Sequence, residues 1–220
     1  GVLFFKDEPT DRQIEKEQRQ LSNITDPSRL IEMAKSYENH KKWLAAVEVW
    51  KRYLELQPDA VDARFRLGVA QLEAVKTNTA IETLETLREE AQEVPPQLPL
   101  YLARAFQAKD QPLVALGCYE EYLENFPDDL TVCRKAAQLA REQYKLTRAR
   151  KIFERLRTMD DRGTRAEGTL ALIDIDLDEN NPERAEPLFD DLKELFQDGS
   201  LSSRQQKEYL YQRARFQEAR

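Results

Sequence analysis

The chain has one histidine and two cysteines among its 220 residues. With His40 alone, a Ser-His or Cys-His pair has no motif to support it, and no His-Cys-carboxylate cluster exists to hold zinc. Cys118 and Cys133 fit neither a metal spacing nor a Cys-x-x-Cys pattern, so they are expected to be two small buried apolar residues, with their pairing left open. Glycine is scarce, at six residues, and none falls in the spacing of a phosphate-binding loop. No apolar run approaches the roughly 18–20 residues that cross a membrane. A basic surface is also missing: the formal net charge is −7 and the pI is near 5.1, which argues against a general nucleic-acid binder. Neither a cofactor nor a catalytic centre is therefore expected, and the chain reads as a non-enzyme.

What is present is a repeat. Ala46, Ala80, Ala115, Ala149 and Ala185 stand 34, 35, 34 and 36 residues apart. Four residues after each comes Trp50, Leu84, Tyr119, Phe153 or Phe189. Three residues further on comes Tyr53, Leu87, Tyr122, Leu156 or Leu192. A fixed period in this range indicates a stacked solenoid, in which each unit buries its apolar face only against its neighbours. Upstream of each alanine lies another helical pattern, such as Leu30, Ile31, Met33, Ala34 and Tyr37 after the helix start Asp26-Pro27. Short turns join the two helices at Asn39-His40, Lys76 to Asn78, Lys109 to Pro112, Gln143 to Leu146 and Asn180 to Pro182. The units are read as about 27–59, 60–94, 95–128, 129–162 and 163–198.

These residues resemble the tetratricopeptide repeat, a 34-residue helix–turn–helix unit, over roughly residues 27–198. Leu67-Gly68, Leu102-Ala103 with Phe106, and Ala34 with Tyr37 carry the likeness in first helices, and Pro58 and Pro127 close two units. The small residues allow close helix approach, and the large residue that follows fills the gap against the next unit. The resemblance implies an all-α, right-handed α-solenoid of about five tetratricopeptide-like helical hairpins plus a terminal helix. Two units depart from the pattern. Asp161 stands where the family often has Pro, and the fifth first helix has Ile173 at a small position and Asp176 at an aromatic one.

The flanks are less patterned. Residues 1–26 read as a linker or the flank of an upstream segment; Thr10 to Leu21 could form one short helix with Ile14 and Leu21 on one side, but these two residues bury little to fix it. Val2-Leu3-Phe4-Phe5 could end a membrane anchor or a strand of a further domain. Residues 199–220 read as a terminal helix with Leu210, Ala214 and Phe216 as apolar positions, either a cap or the start of a sixth repeat. The acidic stretch Asp174 to Asn180 lacks the glycine turn of a calcium loop and reads as a solvated helix end.

In such a superhelix the first helices are expected to line the concave side. The inward set is Lys35, Phe65, Val69, Leu100, Arg104, Gln107, Arg134, Gln138 and Arg141. Apolar Phe65, Val69 and Leu100, with Arg104, Arg134 and Arg141 as a basic strip, would suit a peptide with apolar anchors and carboxylates. The alternative is that Phe65 and Leu100 pack between units and the arginines pair with neighbouring glutamates.

The two-carboxylate clamp by which some family members grip chaperone tails uses Lys, Asn, Asn, Lys and Arg. The matching positions here are Ile31, Lys35, Arg66, Gln97 and Tyr101, and shifting by one or two units gives no better match. The expected function is a non-catalytic scaffold or adaptor that binds a protein or peptide, with self-association left open. The alternative is the regulatory or docking region of a larger membrane-anchored or multidomain protein. The cytoplasm is favoured as location, with a membrane-anchored periplasmic placement as the other option.

Overall fold

The computed structural model describes residues 7–220; the apolar opening Val2 to Phe5 lies outside them. Twelve α-helices and no strand are present among the described residues, so the fold is all-α. The helices are α1 (Asp11–Gln20), α2 (Pro27–Asn39), α3 (Trp43–Leu56), α4 (Val61–Glu73), α5 (Thr77–Glu90), α6 (Leu98–Ala108), α7 (Pro112–Asn125), α8 (Leu130–Glu142), α9 (Leu146–Arg157), α10 (Arg162–Asp178), α11 (Pro182–Gln197) and α12 (Ser203–Ala219). They form two compact units, one up to Asn125 and one from Phe126.

The first unit holds the hairpins α2/α3, α4/α5 and α6/α7, each packed on the next. The repeated alanines sit where two helices cross. Ala46, Ala80 and Ala115 are fully buried, as are Ala34 and Ala103 on the facing first helices. Trp50, Leu84 and Tyr119 fill the space beyond them and are buried as well. At Gly68 the fit is tighter still, because a Cβ there would stand 2.5 Å from a Leu84 methyl.

Ahead of these hairpins, residues 11–20 form a helix rather than an unstructured linker. Thr10 and Gln13 close a capping box at its start. Leu21 and Ile24 are buried, and Ile14 packs against the first hairpin. Gln18 Nε2 donates to Ala45 O, and the buried Tyr37 hydroxyl donates to Glu17. Polar anchoring therefore adds to a modest apolar area.

The second unit holds α8/α9, α10/α11 and α12. Ala137, Ala149 and Ala185 are fully buried at its crossings. Asp161 is the N-cap of α10, with Oδ2 accepting from the Thr164 amide at 2.8 Å, which accounts for an Asp at this boundary. Ile173 is fully buried, and the close approach of α10 to the α9 backbone lies at Gly168, five residues earlier, where a Cβ would stand 2.6 Å from Phe153 O.

The acidic stretch is solvated only in its last three residues, Asp178, Glu179 and Asn180. α10 continues through it to Asp178, with Asp176 buried and Asp174 half-buried. The phase of α12 also differs from expectation: Tyr209 and Gln212 face inward, Leu210 and Ala214 are exposed, and Phe216 is half-buried. Aromatic and polar contacts both set this phase: Tyr209 stacks on Phe196 and meets Phe189, which also packs against Phe216. Gln212 Nε2 donates to Asp174 Oδ1 at 2.9 Å, and Arg215 Nη1 lies 2.7 Å from the same oxygen. α12 runs parallel to α10, since Gln205 reaches Gly163 O at one end and Arg215 reaches Asp178 at the other.

All five hairpins turn in the same way. Lys41, Val75, Asp110, Tyr144 and Asn180 adopt φ of 56, 60, 58, 54 and 55°. Each stands five residues before its repeat alanine. The following amide closes a 2.8 Å hydrogen bond back to Tyr37, Gln71, Phe106, Ala140 or Asp176. This left-handed residue satisfies otherwise orphaned carbonyls at the end of the first helix.

Candidate functional site

In the first unit the exposed edges of α2, α4 and α6 form one face. Two ion pairs stitch it. Glu38 Oε2, in the last turn of α2, lies 2.7 Å from Arg66 Nη1 on α4. Glu73 Oε1, at the end of α4, lies 2.6 Å from Arg104 Nη2 on α6. Aromatic rings fill the space between: Phe65 meets Tyr101 edge-on at 5.5 Å, and the Arg104 guanidinium lies 5.5 Å from the Tyr101 ring centre. Glu38 also accepts from Trp50 Nε1 at 2.7 Å, and the Arg66 guanidinium stands 5.7 Å from the Trp50 ring.

Six of the sequence-selected residues belong to this unit. Lys35 is exposed on α2, and Phe65, Val69 and Leu100 are half-buried, each with part of its apolar surface still open. Arg104 is held between Glu73 and Tyr101. Gln107 accepts a hydrogen bond from the Tyr119 hydroxyl and so clasps α6 to α7. Thr83 donates to Gln71 Oε1 in the second hairpin and Trp50 to Glu38 in the first, each twelve residues apart like Tyr119 and Gln107. Arg66, Tyr101 and the two glutamates are missing from the sequence-selected set. The signal for them is an acid at the end of one first helix and an arginine in the middle of the next.

The other three residues belong to the second unit. Both Glu167 oxygens lie 2.9 Å from Arg134 Nε. That hydrogen bond is the main reason the guanidinium holds its proton more tightly than usual. Gln138 donates to Glu142 on its own helix at 2.8 Å. Arg141 pairs with Asp174. Burial pushes the Asp174 carboxyl up, but hydrogen bonds from Gln212 and Arg141, with the charges of Arg141 and Arg215, hold it below the usual carboxylate range. A cleft of about 570 Å³ opens beside these groups, with Phe153, Leu170, Arg204 and Gln205 among its lining. All three arginines of the expected strip are thus matched to a carboxylate on a neighbouring first helix.

Among the described residues no group of three His, Cys, Asp or Glu is placed to hold a metal ion. His40 Nδ1 lies 2.8 Å from the Ser36 carbonyl, at the end of α2. Both cysteines are buried and free, and burial pushes the Cys118 thiol up to about 11.

The tetratricopeptide repeat family matches residues 31–95, which span the first two hairpins. These residues carry tetratricopeptide repeats. Solved structures extend the likeness of fold. MamA 41-end from Desulfovibrio magneticus RS-1 is 21% identical, with a TM-score of 0.54 over 67% of this chain and 88% of that one. The MamA RS-1 ArsTM double mutant is 19% identical, with a TM-score of 0.54 over 65% and 83%. A Podosopora anserina kinesin light chain with nearly identical TPR-like repeats is 18% identical, with a TM-score of 0.52 over 78% and 97%. No curated protein matches the chain.

Proposed function

We propose that this tetratricopeptide-repeat chain is a non-catalytic protein-interaction scaffold that holds a segment of a partner protein against its first helices. The observation behind this reading is the half-open apolar surface of Phe65, Val69 and Leu100 on the α4 and α6 face, bordered by Lys35 and Arg104. Each arginine keeps unused donors after meeting its carboxylate, since a guanidinium has five N–H groups. A partner segment with apolar anchors and acidic residues matches this surface, and Arg134, Gln138 and Arg141 offer the same chemistry in the second unit. Such a segment would share the arginines with Glu73, Glu167 and Asp174 rather than find them free.

Charge swaps test this without breaking the internal pairs. Arg104→Glu/Glu73→Arg and Arg134→Glu/Glu167→Arg each preserve an ion pair and reverse its direction. Affinity capture with the wild-type chain and both swaps, read by mass spectrometry, is expected to retain a partner on the wild type and lose it on at least one swap. A partner held equally by all three chains would move binding off these faces. Retention of no protein by the wild type would remove the scaffold reading.

A further inference from the structure

One edge of the first unit differs from the rest of its surface. The turns at Lys41, Val75 and Asp110 each join a first helix to its second helix. Successive first helices run parallel, as the Phe65–Tyr101 and Glu73–Arg104 contacts between α4 and α6 require, so the three turns lie along one edge. Among the described residues, every large hydrophobic side chain that this unit exposes is on that edge: Leu44 at 61%, Val75 at 82%, Leu113 at 44% and Val114 at 47%. Lysines stand between them. Lys41 and Lys42 precede Leu44, Lys76 follows Val75, and Lys109 precedes Leu113. Acids near the edge are Asp110, Glu8, the latter 2.8 Å from Lys42, and Glu38 and Glu73, each paired with an arginine of the next first helix. The opposite edge, where second helices lead into first helices, carries exposed Glu55, Asp59, Glu89, Glu90 and Glu93 beside Arg52, Arg64 and Arg88, with Arg52 paired to Glu55 and Arg64 to Glu90. The lysines and aliphatic tips are thus on one side of an acidic chain, and carboxylates outnumber the arginines on the other.

Burial does not explain the four hydrophobics, because they are open to solvent. Helix formation does not require them, and Val75 is a β-branched residue in left-handed backbone, an unfavourable choice for the turn itself. The tips rise from separate turns, spaced by whole hairpins. Lysine is a compact charge on a long apolar stem that can follow a soft, anionic surface while its methylenes lie along apolar material. We propose that this edge docks on an anionic bilayer surface, with Leu44, Val75 and Leu113 entering the headgroup layer and Lys41, Lys76 and Lys109 among the phosphates. The carboxylate edge then faces away from the lipid, and the charge difference across the unit orients the approach. The inference is independent of the partner-binding face, which uses other side chains.

Vesicle flotation with the full chain tests it, using phosphatidylcholine alone and phosphatidylcholine with about 30% phosphatidylserine. At about 0.1 M salt the wild type is expected to float with the anionic vesicles at least about tenfold better than with the neutral ones, and to release near 0.5 M. Lys76→Glu/Lys109→Glu is expected to abolish flotation, and Leu44→Ser/Val75→Asn/Leu113→Ser to reduce it about tenfold with the charge unchanged. All of these positions are exposed, and an unchanged melting temperature certifies the fold of each variant. Equal flotation on both vesicle types, or variants that float as well as the wild type, would overturn the proposal. So would a wild type that ignores both vesicles, including the case where the Leu44/Val75/Leu113 variant instead loses a concentration-dependent increase in mass. That last result would assign the edge to contact between copies.

Discussion

Arg150 Nη2 stands 2.7 Å from Oδ1 of Asp176, a carboxylate only 1% exposed, and joins the fourth hairpin to the fifth. The nitrogen directs its aligned hydrogen bond at Glu179, 2.8 Å away, so Asp176 Oδ1 is met by charge rather than by a hydrogen bond. Arg184 adds a more distant cation, at 3.7 Å. A buried carboxylate in this position depends on its cation. Arg150→Met is expected to cost about 3 kcal/mol, because it leaves a buried charge without its close partner. Adding Asp176→Leu should restore most of the loss, because a buried pair is often replaceable by apolar side chains of similar size. Urea unfolding of the wild type, the single variants and the double variant measures this. A single variant as stable as wild type would show that Arg184 suffices.

Two glycines should respond differently to one added methyl group. At Gly168 a Cβ would stand 2.6 Å from Phe153 O and 2.6 Å from Arg157 N, both backbone atoms of the packed α9. At Gly68 the nearest atoms belong to the Leu84 side chain, which can change rotamer. Gly168→Ala is expected to destabilise by about 3 kcal/mol, and Gly68→Ala by about 1 kcal/mol after the helix-propensity gain. Thermal melts of the two variants decide the order.

The hairpins were legible because their period comes from crossings where only a small residue fits, so Ala46, Ala80, Ala115, Ala149 and Ala185 recur in phase. The turns were legible only to within a residue or two, because the left-handed positions are filled by Lys, Val, Asp, Tyr and Asn rather than by glycine. Partners 31 to 33 residues away were not legible. Glu73, Glu167 and Asp174 meet Arg104, Arg134 and Arg141 only once first helices lie side by side. The same reason hid the inward phase of α12, which follows Tyr209 towards Phe196 and Gln212 towards Asp174 rather than Leu210 towards a core. The α1 region was underestimated because its apolar residues are few, and Glu17 and Gln18 make up the difference with hydrogen bonds.

Val75 offers a gain in stability. It is exposed and holds φ of 60°, where a β-branched side chain clashes with its own backbone. Glycine at this position removes the clash, at some entropic cost in the unfolded chain. Val75→Gly is expected to stabilise by about 1 kcal/mol and raise the melting temperature. Asp110→Gly should gain less, since Asp tolerates this region better. A Val75→Gly variant that melts lower than wild type would mean that the side chain makes a contact worth more than the strain.

The docking of α12 should weaken in acid, and Asp174 sets the range. Its carboxylate accepts from Gln212, Arg141 and Arg215, and its folded-state pKa lies below the ordinary value of about 3.9 despite burial. A depressed carboxylate contributes its full stability above the unfolded-state pKa and loses it as pH falls through the folded-state pKa. The charged hydrogen bonds are worth about 2 kcal/mol, so Asp174→Asn should lower stability by that amount at neutral pH. The gap between wild type and Asp174→Asn should stay constant from about pH 8 to 5 and close below about pH 4. Denaturant melts of both proteins across this range give the gap directly, and hydrogen exchange at the Tyr209 and Gln212 amides reports the same loss within α12. A gap that instead closed between about pH 6 and 8 would assign α12 docking to a different titrating group.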